Sequence, residues 1–150
     1  MKNFFCFVFY WLVSLTFIGY CPQLLAEDKP AHVFRIGVSL PLTGDLAEYG
    51  SAVRNGIQLA QSRFPSKFQH LDLLYEDNRY DGKTALTILQ KFRASNVDLI
   101  YSWGEIPFNA IAPIIEKSKV PLTAYSLDNK AAVNSKFIIL TSNPISLELR

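Results

Sequence analysis

Cysteine, histidine and runs of like charge are all scarce in this sequence, and each scarcity removes a class of function. The two cysteines, Cys6 and Cys21, both precede Ala26. Once residues 1–26 are removed on export, as argued below, no thiol nucleophile remains and no disulfide can form. The histidines are His32, near the start of the remaining chain, and His70, just before an expected strand. Neither falls in a loop that follows a strand, so a Ser/His/Asp triad has no base. Acidic and basic residues alternate without a basic block, which argues against nucleic acid or a membrane surface as partner. Low-complexity segments are absent, as are the Lys-Ser/Thr pair of a P-loop and the GxGxxG spacing of a dinucleotide site.

What is present begins with a leader. Lys2 is followed by FFCFVFYWLVSLTFIGY, Phe4 to Tyr20, with no charge in it. A basic start, an apolar run, Pro22 and the small Ala26 have the form of a secretory signal peptide, residues 1–26, cut after Ala26. The rival reading is an uncleaved anchor, for which the run is short. A lipoprotein is disfavoured because Tyr20, not a small residue, precedes Cys21. Loss of the leader removes Lys2 alone among charged residues and leaves 14 basic against 13 acidic side chains, a net of +1. The product is expected to be exported to the periplasm.

The remaining chain alternates short apolar runs with amphipathic ones. VFRIGVSL (Val33 to Leu40), LDLLYE (Leu71 to Glu76), VDLIYS (Val97 to Ser102), PLTAYS and FIILTS (Phe137 to Ser142) read as buried strands. A helix is expected from Leu46 or Ala47 to Phe64, with Val53, Ile57, Ala60 and Phe64 on one face and Pro65 as its stop. Asp81 can cap a second helix whose inner face is Ala85, Leu89 and Phe92. The loop WGEIPFN leads to a third helix, facing inward with Ile111, Ile114 and Ile115. This pattern predicts an α/β, three-layer Rossmann-like lobe with a parallel sheet of about five strands, covered on both faces. Ligands of such sheets bind beyond the carboxyl ends of the strands. The loops after Leu40, Glu76, Ser102 and Ser126 are therefore the candidates.

Three constellations fall in those loops. PLTGDLAEYG has glycines before a helix, yet Asp45 and Glu48 suit the helix dipole themselves and would repel a phosphate. For Asp45 a plain helix cap is an equal reading. Glu76, Asp77 and Asp81 could attract a divalent cation, but they come from one loop and Asp81 is committed as a cap, so a solvated turn is preferred. Tyr49, Trp103 and Tyr125 could wall a small-molecule site, the alternative being a hydrophobic cluster under the loops.

At these residues the sequence resembles a known family. IGVSLPLTGDLAEYGSAVRNGIQLA is similar to the opening of the periplasmic solute-binding proteins of the leucine/isoleucine/valine-binding family. LYEDNRYDGKTAL and VDLIYSWGEIPFNAIAPIIEKSKVPLTAYS continue the likeness in order, over roughly Val33 to Ser142. The resemblance implies two α/β lobes that close on a solute, with residues 27–150 as an incomplete N-terminal lobe. It implies non-catalytic ligand capture for an ABC-type importer of amino acids or related small solutes, with that transporter's membrane subunits as partners and no cofactor or metal. The implied ligand contacts are Tyr49; Trp103, Gly104 and Glu105; and Tyr125, Ser126 and Asp128. Where amino-acid binders of the family offer hydroxyls after the third strand, this chain has WGEIPFN with its acid Glu105. That acid would repel an α-carboxylate and, with Asp128, suits a cationic or amine-bearing solute better. The chain stops at SNPISLELR, about where the first lobe would begin its last helix, and is expected to be a fragment. The alternatives are a sensory or regulatory module of the same fold, or a non-functional truncated product. An enzyme ranks last.

Overall fold

The computed structural model describes residues 32–142. The expected leader with its cleavage site, and the expected last helix at SNPISLELR, lie outside these residues. In chain order the elements are β1 (Phe34–Leu40), α1 (Ala47–Arg63), α2 (Pro65–Phe68), β2 (Leu71–Asp77), α3 (Gly82–Ala94), β3 (Leu99–Trp103), α4 (Glu105–Ser118), β4 (Leu122–Tyr125) and β5 (Ile138–Leu140). All five strands are parallel, in the order β2-β1-β3-β4-β5. The α/β lobe with a parallel five-stranded sheet is thus the one expected from the sequence.

Alternation along each strand decides what it faces. Ile100, Leu122, Ala124 and Ile138 turn towards α3 and α4, where they meet Ala85, Ile88, Leu89, Phe92, Phe108, Ile111 and Ile115 in the core. Phe92, Phe108, Leu89 and Ile115 are fully buried, each worth about 1.5–3 kcal/mol of apolar transfer. The α3 stripe is placed by its cap: the Asp81 carboxylate accepts from the Thr84 N–H at 2.7 Å and from its hydroxyl at 2.7 Å. Lys91 and Arg93 in the last turn complement the helix dipole.

The opposite face carries Ile36, Val38, Leu73, Leu99, Tyr101 and Thr123 beneath α1. Between that helix and the sheet runs an apolar groove of about 510 Å³, lined also by Val53, Ile57 and Ala60. The expected inner face of α1 is therefore correct in direction but half-buried, and Phe64 is exposed. Coverage of this face is less complete than expected.

Three local expectations change. WGEIPFN is not a loop, since α4 begins at Glu105 and leaves Gly104 alone as connector. Pro107 is accommodated there, since in the first helical turn its missing N–H costs nothing. Asp45 does not cap α1. The N-cap is Leu46, with no side-chain cap bond. The stretch between β4 and β5 forms turns, and β5 spans only Ile138–Leu140.

Candidate functional site

The chain leaves β1 towards α1 on one face of the sheet and leaves the neighbouring β3 towards α4 on the other. The crevice between these exits is the switch point at which α/β sheets of this kind place ligands. Two rings project over it from the sheet. Trp103 and Tyr125 are register partners at the ends of β3 and β4, so their side chains leave the same face side by side. Their ring centroids are 5.6 Å apart and the planes differ by 4°. Tyr49, from the first turn of α1, stacks on the other face of Trp103 at 5.6 Å and 19°. The three rings form a row, each contact in the offset-stacked range that adds about 0.5–1.5 kcal/mol beyond burial. Its ends are open: Tyr49 is 57% and Tyr125 39% exposed.

Tyr49 reaches this row because α1 lies unusually close to the end of β1. A Cβ at Gly50 would stand 1.9 Å from the carbonyl oxygen of Pro41, so only glycine allows the approach. The intervening loop is tied from the next strand. Asp77 accepts from the Leu42 N–H at 2.8 Å, the Thr43 N–H at 3.3 Å and the Thr43 hydroxyl at 2.6 Å. It also accepts from the Arg79 N–H at 3.0 Å. Partial burial pushes this carboxyl up, but the hydrogen bonds from Thr43, Leu42 and Arg79 outweigh that and hold it below the ordinary carboxylate range.

A fourth ring, Tyr80, lies in the turn between β2 and α3. Arg79 and Tyr80 both adopt left-handed backbone, with φ of 52° and 57°, a conformation costing each about 1–3 kcal/mol outside glycine. Side chains hold them there: the Arg79 N–H donates to Asp77, and the Tyr80 N–H donates to Asn78 Oδ1 at 2.8 Å. Asn78 is fully buried, and its Nδ2 donates to Ser39 Oγ at 3.0 Å and towards the Trp103 carbonyl at 3.5 Å. The result lays the Tyr80 ring across Gly104, where a Cβ would come within 2.4 Å of it. The same ring lies 6.0 Å from Trp103, tilted by 54°. A tyrosine in a carboxyl-end loop was the available signal. Its direction depends on two unusual φ values that no periodicity reveals.

The other expected contacts divide. Gly104 is the buried N-cap of α4 with φ 108°, and Glu105 is exposed in that helix's first turn. Ser126 is 1% exposed and engaged in its own loop. Its hydroxyl donates to the Asp128 carbonyl at 3.3 Å and accepts from the Asp128 N–H at 3.2 Å. Asp128 is half-buried and accepts from the Lys130 N–H at 3.0 Å. Tyr49, Trp103 and Tyr125 are thus brought into contact, Glu105 and Asp128 follow Trp103 and Tyr125 in the chain, and Ser126 is turned inward.

The acids at the end of β2 and in the turn after it do not converge. Glu76 pairs with Lys91, Asp77 holds the β1 loop and Asp81 caps α3. Among the described residues no group of three His, Cys, Asp or Glu is placed to hold a metal. His32 precedes β1 and pairs with Asp98 at 3.3 Å, while His70 contacts Gln69 just before β2. Both are at the amino ends of the strands, away from the ring row.

A parallel five-stranded lobe with an aromatic row at its switch point has the architecture of a ligand-binding α/β domain. The family described as periplasmic binding protein matches residues 33–146, and the chain belongs to that family. Among solved structures, a leucine-binding protein from Thermotoga maritima is 26% identical with a TM-score of 0.65, covering 75% of this chain and 33% of its own. An ABC transporter substrate-binding protein from Aeropyrum pernix is 20% identical with a TM-score of 0.69, covering 79% and 33%. A solute-binding protein from Rhodopseudomonas palustris, solved with 3,4-dihydroxybenzoic acid, is 21% identical with a TM-score of 0.65, covering 74% and 32%. The matched region spans about a third of the length of these structures. No curated protein matches the chain.

Proposed function

We propose that this lobe captures a small solute, without catalysis, as the substrate-binding component of an ABC-type importer. The observation that carries the reading is the ring row of Tyr49, Trp103 and Tyr125 at the switch point of a chain in the periplasmic binding protein family. Stacked rings offer a broad apolar surface with little conformational entropy to lose on binding. The solute class is small: an amino acid, an amide or an amine. Similar folds are named as binding leucine in one relative and a dihydroxybenzoic acid in another. The membrane subunits of an importer are the implied protein partner, and the leader implies delivery to the periplasm. In this reading a second lobe supplies the opposite wall of the site, and the lobe described here supplies the rings and Glu105.

Calorimetric titration of the exported chain against amino acids, amides and amines tests this. Heat of binding is expected for at least one class, and Tyr49→Ala and Trp103→Ala are each expected to weaken it by about tenfold, the scale of one lost stacking contact. Unchanged affinity in both variants would remove the ring row as the site.

A further inference from the structure

We infer that the solute is a ring-bearing molecule with a cationic or neutral polar substituent, and that a carboxylate is rejected. This rests on the solute-capture reading above and narrows its solute classes to amides and amines, excluding the amino acids. The first observation is the open ends of the row. Tyr49 and Tyr125 each cover one face of Trp103 and remain substantially exposed, so a further planar ring can extend the stack.

The second observation is the state of the nearest anion-binding feature. The N-terminus of α4 begins two residues after Trp103, and a free helix start attracts anions through its unpaired N–H groups and dipole. Here three features close it. Tyr80 lies over Gly104, Pro107 removes one N–H, and Glu105 sets a carboxylate in the first turn. An anionic solute would meet a ring and a like charge where it needs donors.

The third observation is the sign of the charge in the segments that carry the rings. Asp45 and Glu48 precede Tyr49, Glu105 follows Trp103 and Asp128 follows Tyr125. Among the described residues the ion pairs join His32 to Asp98, Arg35 to Asp72, Arg79 to Asp77 and Lys91 to Glu76, so none uses these four acids. The basic side chains of the same loops are Arg79, already beside Asp77, and Lys130 and Lys136, both between β4 and β5. Aromatic faces attract cations through their quadrupole, and flanking acids add to that attraction. Tyr80 is accordingly a specificity-determining residue, since its ring packs on Gly104 at the start of α4 and adds a fourth aromatic surface.

Three probes of matched shape test the inference: benzylamine, benzamide and benzoate. Titrated into the chain in a Trp11→Phe background, which leaves Trp103 as the single tryptophan, each is followed by Trp103 emission. Benzylamine is expected to bind about tenfold more tightly than benzoate, with benzamide between them. Glu105→Gln should narrow that ratio, and Tyr80→Ala should strengthen benzoate specifically by uncovering the α4 N-terminus. Equal or tighter binding of benzoate overturns the inference, as does failure of all three probes. If the probes fail while an aliphatic amino acid or amide shifts Trp103 emission, the ring-and-cation inference falls and solute capture stands. Should no solute of any class bind, both fall.

Discussion

Gly50 rests against Pro41 with room for nothing larger than hydrogen, since a methyl carbon would stand 1.9 Å from the Pro41 carbonyl oxygen. The atom in the way is backbone at the end of β1, so no rotamer change relieves the clash. Gly50→Ala is expected to destabilise the lobe by about 3 kcal/mol, the upper end for overpacking. It should also detach Tyr49 from Trp103. Thermal denaturation together with Trp103 emission measures both, and a wild-type melting curve would show that α1 does not need this approach.

Asp77 makes the same loop sensitive to acid. Its folded pKa lies below the ordinary carboxylate value, so its contribution is complete above about pH 3.9 and is lost as pH falls through the lower folded value. Asp77→Asn should therefore be less stable than wild type at neutral pH, with the gap closing as acid protonates the wild-type carboxyl. Urea midpoints of the two proteins from pH 7 to pH 2 test this. A gap that stays constant to the lowest pH contradicts the assignment.

The two aspartates at helix starts should behave differently. Asp81 bonds the Thr84 N–H, whereas α1 is capped by Leu46 without a side-chain bond. Asp81→Ala is expected to cost about 1 kcal/mol and Asp45→Ala close to none. Denaturant midpoints decide, and equal losses would show that Asp45 caps in solution.

Buried polar groups beneath the rings give a second contrast. Asn78 joins the ends of β1, β2 and β3 and holds Tyr80 in its left-handed turn. Asn78→Ala should cost about 2–3 kcal/mol by leaving buried partners unpaired. Ser102 is fully buried and its hydroxyl has no partner among the described residues, so Ser102→Ala should be neutral or stabilise by about 1 kcal/mol. A destabilised Ser102→Ala protein would reveal a bond that this hydroxyl makes.

The legible part of the site follows from local rules. Alternation of apolar strands with amphipathic helices located the carboxyl-end loops, and Tyr49, Trp103 and Tyr125 lie at their borders because strand ends can be read from short-range pattern. Asp81 was legible for the same reason, since a cap involves residues three apart. The WGEIPFN stretch was misread because proline is equally at home in a loop and in a first helical turn.

By itself, then, the amino-acid order determined the α/β class, the number of strands and the end of the sheet where the site lies. Those properties depend on periodicity and turn residues that act within about ten positions of one another. Only the tertiary structure decided that β1 lies between β2 and β3, that Trp103 and Tyr125 share a register, and that Gly50 brings Tyr49 against them. It alone turned Ser126 inward and laid Tyr80 over Gly104. These arrangements depend on strand order and on side chains bonding backbone amides across separate strands and loops. A row of stacked rings is thus a property of the assembled sheet, and its members become a single surface only when the strands pair.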